Sequence, residues 1–203
     1  MTLAQSLGTI DFWIIFFIFG CLVGIGTATL DNVSEIVDAN SVDGEAGVIK
    51  LKAQGQQLFS VFNAFGRASF GIVSDYLLVN FGVSRYALLG LSCFISMIDC
   101  FLLAFLKSIS NSSSLETAFS IAMSLSGLSF GGVSVMINTL TLDMFGSNHF
   151  GIIIGSVNIS AIIGTLLIYS LLESKLYDYY STETTCYDDP ACFKMTFLLF
   201  SGI

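Results

Sequence analysis

The chain has 203 residues, of which 54% are hydrophobic and 11% are charged, and its mean hydropathy is +0.84. Soluble domains typically carry about 25% charged residues, so this composition indicates a membrane protein. The net charge of −8 argues against nucleic acid or an anionic lipid surface as a partner. The sequence contains no phosphate-binding loop, metal-ligand spacing or nucleophile motif. We therefore expect no cofactor, no bound metal and no enzymatic activity.

Apolar segments recur along the chain at the length of membrane-spanning helices. A spanning helix needs about 20 mostly apolar residues to cross the hydrocarbon. The segments that meet this requirement are 12–37, 56–81, 86–107, 117–142 and 148–173. A last apolar run, 193–203, is too short to span. The sequence therefore predicts an all-α membrane protein whose sixth helix is incomplete.

The polar connections alternate in length. The longer ones are the loop 38–55, the serine-rich turn 108–116 and the acidic loop 177–192, and the order of crossings puts them on one side of the membrane. The opposite side has only the short connections 80–85 and 146–150. This pattern predicts a compact bundle of antiparallel helices.

Small residues are spaced for close helix packing. Gly20 and Gly24 lie four positions apart, Gly66 and Gly71 bracket "GRASFG", and a later segment contains "GLSFGG". Within lipid, such residues let helix backbones approach each other. We interpret them as packing positions, because glycine pairs do not identify a function.

Among the ionisable residues within or at the ends of the apolar segments, four need to be weighed: Asp31, Arg67, Asp99 and Asp143. Such residues are costly in hydrocarbon and usually face the bundle interior or a water-filled path. Asp31 is either a solvated acid at a helix end or part of the pathway. Asp99 either pairs with a neighbour or lies at an aqueous crevice. Asp143, at a segment end, is expected to be a satisfied acid at the membrane interface.

Arg67 is the deepest of these charges, since uncharged residues surround it from Lys52 to Asp75. It either extends toward Asp75 or faces an aqueous cavity, where its planar fork would bind a carboxylate through two hydrogen bonds. Asn63 lies one turn away on the same helix face. It would hold Arg67 in place or contribute a second contact to a substrate.

Four motifs, in order, carry a resemblance to a known family. They are "GIGTATLDN" from Gly24, "NAFGRASFGIVSDYLL" from Asn63, "GTLLIYSLLESKLYDYY" and "CYDDPACFKMTFLL". Together they resemble the C-terminal half of nodulin-like transporters of the major facilitator superfamily. The resemblance implies that the chain is a six-helix half-bundle, helices seven to twelve of a twelve-helix transporter.

The resemblance also implies a gate at the cytosolic turn after the second helix. Gly71, Asp75, Gly82 and Arg85 loosely match the superfamily element at that turn. An acid and an arginine placed across a tight turn would latch one helix bundle to another and release it, as a rocking transporter requires.

A more distant similarity links the chain to monocarboxylate permeases, whose eighth helix contains D-x-x-x-R-P-x-x-G. Here Asn63, Arg67 and Gly71 match the positions of the acid, the arginine and the glycine. The similarity implies that Arg67 contacts a substrate carboxylate. Asn63 cannot take up a proton, so Asp31 or Asp99 would have to serve proton coupling.

Orientation gives conflicting signals. The family topology places the three longer loops outside, whereas most lysines lie on that side, against the positive-inside rule. We follow the resemblance, because the first helices usually determine orientation and a missing N-terminal half would contain them. On the external side, Cys186 and Cys192 are expected to form a disulfide, and Asn111 is a candidate for glycosylation.

The expected function is secondary active transport of a small, monocarboxylate-like anion by alternating access. Arg67, Asn63, Asp31 and Asn32 are the predicted substrate contacts. The competing interpretations are a transporter of a neutral solute such as a sugar or nucleoside, and a non-transporting membrane scaffold. The expected partners are the solute, a coupling proton, the lipid bilayer, and a missing N-terminal half or a second copy. The expected location is the plasma membrane or an internal organelle membrane.

Overall fold

A computed structural model describes residues 1–40, 45–109, 111–168 and 191–202. These residues form helices and turns, with no strand among them. The helices are α1 (Leu3–Leu7), α2 (Ile10–Asp31), α3 (Val33–Asn40), α4 (Glu45–Phe81), α5 (Arg85–Ala104), α6 (Ser112–Phe145), α7 (Phe150–Thr165) and α8 (Ala191–Ser201), with a 3₁₀ turn at Leu106–Ser108. The prediction of an all-α membrane protein is confirmed.

Four helices in the described ranges are long and apolar enough to cross a membrane: α2, α5, α6 and α7 with its continuation to Ile168. The chain is therefore an integral multi-pass membrane protein. Large apolar side chains on the outer surfaces of α5 and α7, among them Phe94, Phe101, Ile152 and Ile162, are exposed and suited to contact with lipid.

Helix α4 differs from the other long helices because it is not among those four. Its 37 residues span about 55 Å at 1.5 Å per residue, which is more than the hydrocarbon thickness. Polar side chains along α4 lower its hydropathy. A helix of this length and polarity is suited to a position inside a bundle or beside water.

The predicted loop 38–55 is largely helical in the structure. Its first part belongs to α3, whose Ile36 and Val37 are buried, and its second part is the N-terminal extension of α4. Lys52 Nζ lies 2.7 Å from Asp38 Oδ1 and joins the two helices. Each of these two helices buries one face and exposes the other, so the sequence of this connection is rich in polar residues. Such an amphipathic pattern favours a helix at a surface.

The tightest helix contacts join alternate helices, which run parallel to each other within the predicted bundle of antiparallel neighbours. On α6, a Cβ at Gly127 would meet the carbonyl oxygen of Phe59 on α4, and one at Gly131 would meet that of Asn63. The residue numbers rise together on both helices, so α4 and α6 run in the same direction. Consecutive helices are antiparallel, but glycines bring the alternate ones closest.

Helices α2 and α7 form a second parallel pair. A Cβ at Gly20 would lie 2.8 Å from the carbonyl oxygen of Ser160, and one at Gly24 would lie 2.8 Å from that of Gly164. The predicted packing role of Gly20 and Gly24 is confirmed. Thr27 Oγ1 also lies 3.3 Å from Thr165 Oγ1 across the same contact.

Candidate functional site

Arg67 lies on α4 with its side chain exposed. Its Nε donates a hydrogen bond to Asn63 Oδ1 at 3.2 Å, one helical turn earlier. Asn63 therefore holds the guanidinium in place, which is one of the two roles predicted for this residue. The bond uses Nε and leaves the two terminal nitrogens pointing away from it, in the arrangement that binds a carboxylate through two hydrogen bonds.

The alternative ion pair between Arg67 and Asp75 does not form. Asp75 Oδ1 instead lies 2.9 Å from Nη2 of Arg85. Within the described part of the chain, no acid lies within ion-pair distance of Arg67. Among the described residues, the guanidinium thus has an amide and no acid as its side-chain partner.

Helix α6 meets α4 at this arginine and carries polar groups further along its length. A Cβ at Gly131 would lie 3.0 Å from the backbone nitrogen of Arg67, so α6 meets α4 there. Ser134 follows one turn later, and exposed Asn138 donates from Nδ2 to the Ser134 carbonyl at 2.9 Å. Ser134 and Asn138 were not predicted from the sequence. Their spacing of four residues in an otherwise apolar stretch was the available signal.

The α4 polar face consists of Gln56, Ser60, Asn63 and Arg67. Their spacings of four, three and four residues place them along one side of the helix. A shallow cavity of about 360 Å³ opens beside Gln56 and Ser60 and is also lined by Gln57. The face therefore offers amide and hydroxyl groups in line with a single guanidinium.

The other predicted substrate contacts, Asp31 and Asn32, lie where α2 gives way to α3. Asp31 is exposed, whereas Asn32 is buried and donates from Nδ2 to the Ala28 carbonyl at 2.8 Å. The structure does not join either residue to Arg67. Their role as substrate contacts stays a prediction.

Three of the four predicted gate residues, Asp75, Gly82 and Arg85, lie near the C-terminal end of α4 or just after it. Gly82, with φ +64°, ends the helix in the left-handed region that favours glycine, and the turn brings Arg85 back to Asp75. Arg85 Nε also lies 3.2 Å from Asp143 Oδ2 at the end of α6. We call Asp75, Arg85 and Asp143 the ion-pair cluster.

The ion-pair cluster joins the ends of α4, α5 and α6. Gly71, the fourth predicted gate residue, makes an ordinary contact, because its Cβ would lie 3.6 Å from Val135. The sequence analysis placed Asp143 at the membrane interface without naming its partner. That partner, Arg85, is distant in sequence and becomes adjacent only through the packing of α5 against α6.

Asp99 lies on α5 and is 1% exposed. Its carboxyl group lies near the Ser126 side chain on α6. Its Oδ1 has no hydrogen-bond partner among the described residues. Of the two predicted proton-coupling acids, Asp99 is thus buried and Asp31 exposed.

The remaining predicted sites lie at the chain's polar connections. Asn111 is exposed immediately before α6. The predicted disulfide between Cys186 and Cys192 lies outside the described side chains. Within the described ranges, no group of three or more His, Cys, Asp or Glu residues is placed to hold a metal ion.

Two curated proteins are similar to this chain. "Probable transporter MCH1" of Wickerhamomyces anomalus is 25% identical over 175 residues, covering 83% of this chain and 33% of the relative. "Protein NUCLEAR FUSION DEFECTIVE 4" of Arabidopsis thaliana is 26% identical over 169 residues, covering 83% of this chain and 26% of the relative. No family model matches, and no solved structure matches.

The chain spans about a third and about a quarter of the length of these two relatives. Both similarities extend over most of the present chain. They fit a partial transporter of the nodulin-like, major facilitator type, as the sequence motifs indicated.

Proposed function

We propose that residues 1–203 form the C-terminal half of a twelve-helix secondary transporter, which moves a small organic anion by alternating access. The similarity to a protein named as a transporter and the multi-pass helical architecture support transport in general. The guanidinium of Arg67 supports an anionic substrate. Monocarboxylates are the substrate class that the family resemblance favours.

The observation that carries this proposal is the exposed side chain of Arg67 in the middle of a long helix. Arg67 lies eight residues, or about 12 Å, from Asp75 and fifteen residues, or about 22 Å, from Lys52. A charge at such depth is costly unless it faces water or a counter-ion. A bound carboxylate would supply the counter-ion that the described part of the chain lacks.

The ion-pair cluster suits the proposed gate. Arg85 is 15% exposed, but its partners Asp75 and Asp143 are 69% and 45% exposed, so water screens both pairs. Screened ion pairs contribute about 1 kcal/mol or less each, so a latch of this kind is weak enough to open in every transport cycle. Arg85 serves two acids at once, and its release would free the ends of α4 and α6 together. This coupling would connect movement at the gate to the helix that carries Arg67.

A neutral solute is the second candidate, and the rest of the polar surface favours it. Gln56, Ser60, Ser134 and Asn138 are amides and hydroxyls, which suit the hydroxyl groups of a sugar or a nucleoside. In that case Arg67 would act as one hydrogen-bond donor among several. The two candidates differ in whether the charge of the substrate is required.

Uptake of a labelled monocarboxylate by the full-length protein in liposomes tests the proposal. We expect Arg67→Lys to reduce uptake and Arg67→Ala to reduce it by about 10- to 100-fold, because hydrogen bonds to charged groups contribute about 1.5–3 kcal/mol. Lys50→Ala is the matched control, since Lys50 is an exposed cation on the same helix. Undiminished uptake by Arg67→Ala would contradict the anion site. Uptake of a neutral solute without competition from monocarboxylates would favour the second candidate.

A further inference from the structure

Polar side chains of α6 lie in a groove between α4 and α2. Phe130 on α6 meets both neighbours at the floor of this groove. Its ring centroid lies 5.6 Å from that of Phe59 on α4, and a Cβ at Gly26 on α2 would collide with its ring. Ser134 and Asn138 follow Phe130 at spacings of four residues, on the same side of α6. The floor of the groove therefore carries a hydroxyl and an amide.

Helices α2 and α7 form the wall of the groove opposite α4. Thr27 lies on α2 between the face that meets α7 through Gly24 and the face that meets α6 through Gly26. Its Oγ1 lies 3.3 Å from Oγ1 of Thr165 on α7. Asn158 precedes Thr165 by seven residues, which places it two turns away on the same side of α7. Asn158 therefore faces the groove.

The Asn158 side chain is exposed and makes no hydrogen bond within the described part of the chain. Three other helical asparagines, Asn32, Asn80 and Asn138, each donate to the carbonyl oxygen four residues earlier. Helix α7 is apolar enough to span the membrane, and an unpaired amide is costly in hydrocarbon. The free amide of Asn158 is therefore suited to a groove that holds water or a ligand.

Contacts along α2 give the depth of Asn158 in the bundle. Gly20 on α2 meets Ser160 on α7, and the two helices are parallel, so Ile18 is level with Asn158. Ile18 precedes Gly26 by eight residues. At 1.5 Å per residue, Asn158 thus lies about 12 Å from the level of Gly26.

Asn138 lies at the same depth on α6. It follows Phe130, the residue that meets Gly26, by eight residues or about 12 Å, and α6 runs antiparallel to α2. Gly131 meets the backbone of Arg67, and Asn138 follows it by seven residues. The two amides therefore lie about 10 Å from Arg67 along the helix axis, toward the ion-pair cluster.

We propose that Asn138 and Asn158 bind a second, uncharged polar group of the anion whose carboxylate Arg67 binds. This inference rests on the proposed transport function and specifies its substrate class. Three bonds of an extended chain span at most about 3.6 Å, so about eight bonds separate the two groups of the substrate. An asparagine amide both donates and accepts hydrogen bonds, which suits a hydroxyl or a carbonyl group. The substrate is thus an elongated monocarboxylate with an uncharged polar end.

Uptake of two labelled acids by the full-length protein in liposomes tests the proposal. Both acids carry a carboxylate on a chain of about eight carbons, and one has a hydroxyl group at the far end. We expect the KM of the hydroxy acid to be about three- to tenfold lower, as for one hydrogen bond made in the site. Asn158→Leu should remove this difference by raising the KM of the hydroxy acid, and Asn158→Gln should retain part of it. Asn80→Leu is the matched control, since Asn80 is an exposed amide that bonds to its own helix near the end of α4.

The outcomes separate this inference from the proposed function. Equal KM values for the two acids, or a difference that persists in Asn158→Leu, would overturn the amide contact and leave the anion site at Arg67 in place. Uptake of a short monocarboxylate and of neither long acid would have the same meaning. An equal loss of uptake for both acids in Asn158→Leu, with a lower melting temperature, would instead assign Asn158 to helix packing. A protein that takes up no monocarboxylate would contradict the proposed function itself.

Thiol labelling tests the position of Asn158 without transport. We expect a charged, water-soluble thiol reagent to modify Asn158→Cys in the full-length protein above the background of the native cysteines. The hydroxy acid should slow this reaction more than the plain acid does. Ile163→Cys is the matched control, because exposed Ile163 lies about 140° away around α7, outside the groove, and should not react. A variant Asn158→Cys that does not react, or that neither acid protects, would overturn the proposal.

Discussion

Asn63 orients the guanidinium of Arg67, because its Oδ1 accepts the hydrogen bond from Nε. An amide oxygen orients the guanidinium without neutralising it. An ionised carboxylate at the same position, where the permease motif has its acid, would bind the arginine as an ion pair and compete with a substrate anion until it took up a proton. The choice of an amide over an acid at position 63 thus leaves the positive charge available.

We therefore predict losses of different size from two changes at position 63. Asn63→Asp should reduce uptake of a monocarboxylate by about tenfold, since a nearby carboxylate would form a charge-assisted pair with Arg67. Asn63→Ala should reduce it less, because it removes only the orienting bond. The measurement is uptake at matched surface expression. Equal uptake by Asn63→Asp and the unmodified protein would show that Arg67 does not bind the anion.

The charged residues of the candidate site could be predicted from the sequence, whereas its amide and hydroxyl residues could not. Arg67 and Asp99 stand out because charge is rare in apolar segments. Ser134 and Asn138 do not, because serine and asparagine often bond to the carbonyl of their own helix, and Asn138 also does so here. Their significance comes only from Gly131, which places α6 against the backbone of Arg67.

Between elements, the parallel contact of α4 with α6 positions the candidate site. Gly66, Gly127 and Gly131 leave room for backbone against backbone. This contact fixes the position of Arg67 along the helix axis relative to Ser134. A shift of one helix along the other would separate the polar groups of the two helices.

We predict that Gly131→Ala destabilises this contact, because the added methyl group would collide with the Asn63 carbonyl oxygen. A backbone atom cannot move aside as a flexible side chain can, so a loss of about 1–3 kcal/mol is expected. Gly155→Ala on α7 is the matched control, since its Cβ would meet nothing within 4 Å. Thermal unfolding of the detergent-solubilised protein measures both. A melting temperature equal to that of the control would mean that the two helices are not tightly packed.

The sequence predicted helical segments well from hydropathy, but it did not predict which helices touch. Length and apolar composition are local properties, whereas the pairing of α4 with α6 depends on glycines that are distant in sequence. The beginning of α4 at Glu45 was also missed. Its extension is polar, and it is helical because it packs near α3 and pairs Lys52 with Asp38. Hydropathy does not detect a helix that extends outside the membrane.

At the scale of the whole molecule, the proposed transporter takes only one wall of its pathway from this chain. Arg67 and the α4 polar face are exposed on this wall. The relatives are three to four times longer than the matched region, since it covers 33% and 26% of their lengths. A second wall, from an N-terminal half or from a second copy, is therefore part of the proposed transporter.

We predict that residues 1–203 alone, reconstituted in liposomes, give no monocarboxylate uptake above empty liposomes. Adding an N-terminal half from the full-length protein should restore uptake. The amount of inserted protein must be matched between the two samples. Uptake by the isolated chain, together with a cross-linked dimer, would instead show that a second copy completes the pathway.

The polarity of α4 also has a consequence for how the chain is made. A helix enters the bilayer from the insertion machinery according to its own apolarity, and an arginine near its centre opposes entry by about 2.5–3.5 kcal/mol on insertion scales. Helix α4 is synthesised well before α6, whose glycines receive it. The nascent α4 would then stay at the insertion site, without its final packing partner, until α6 emerges from the ribosome. A chain with a defective α6 would therefore leave α4 without its packing partner, and we expect such a chain to enter the membrane less efficiently.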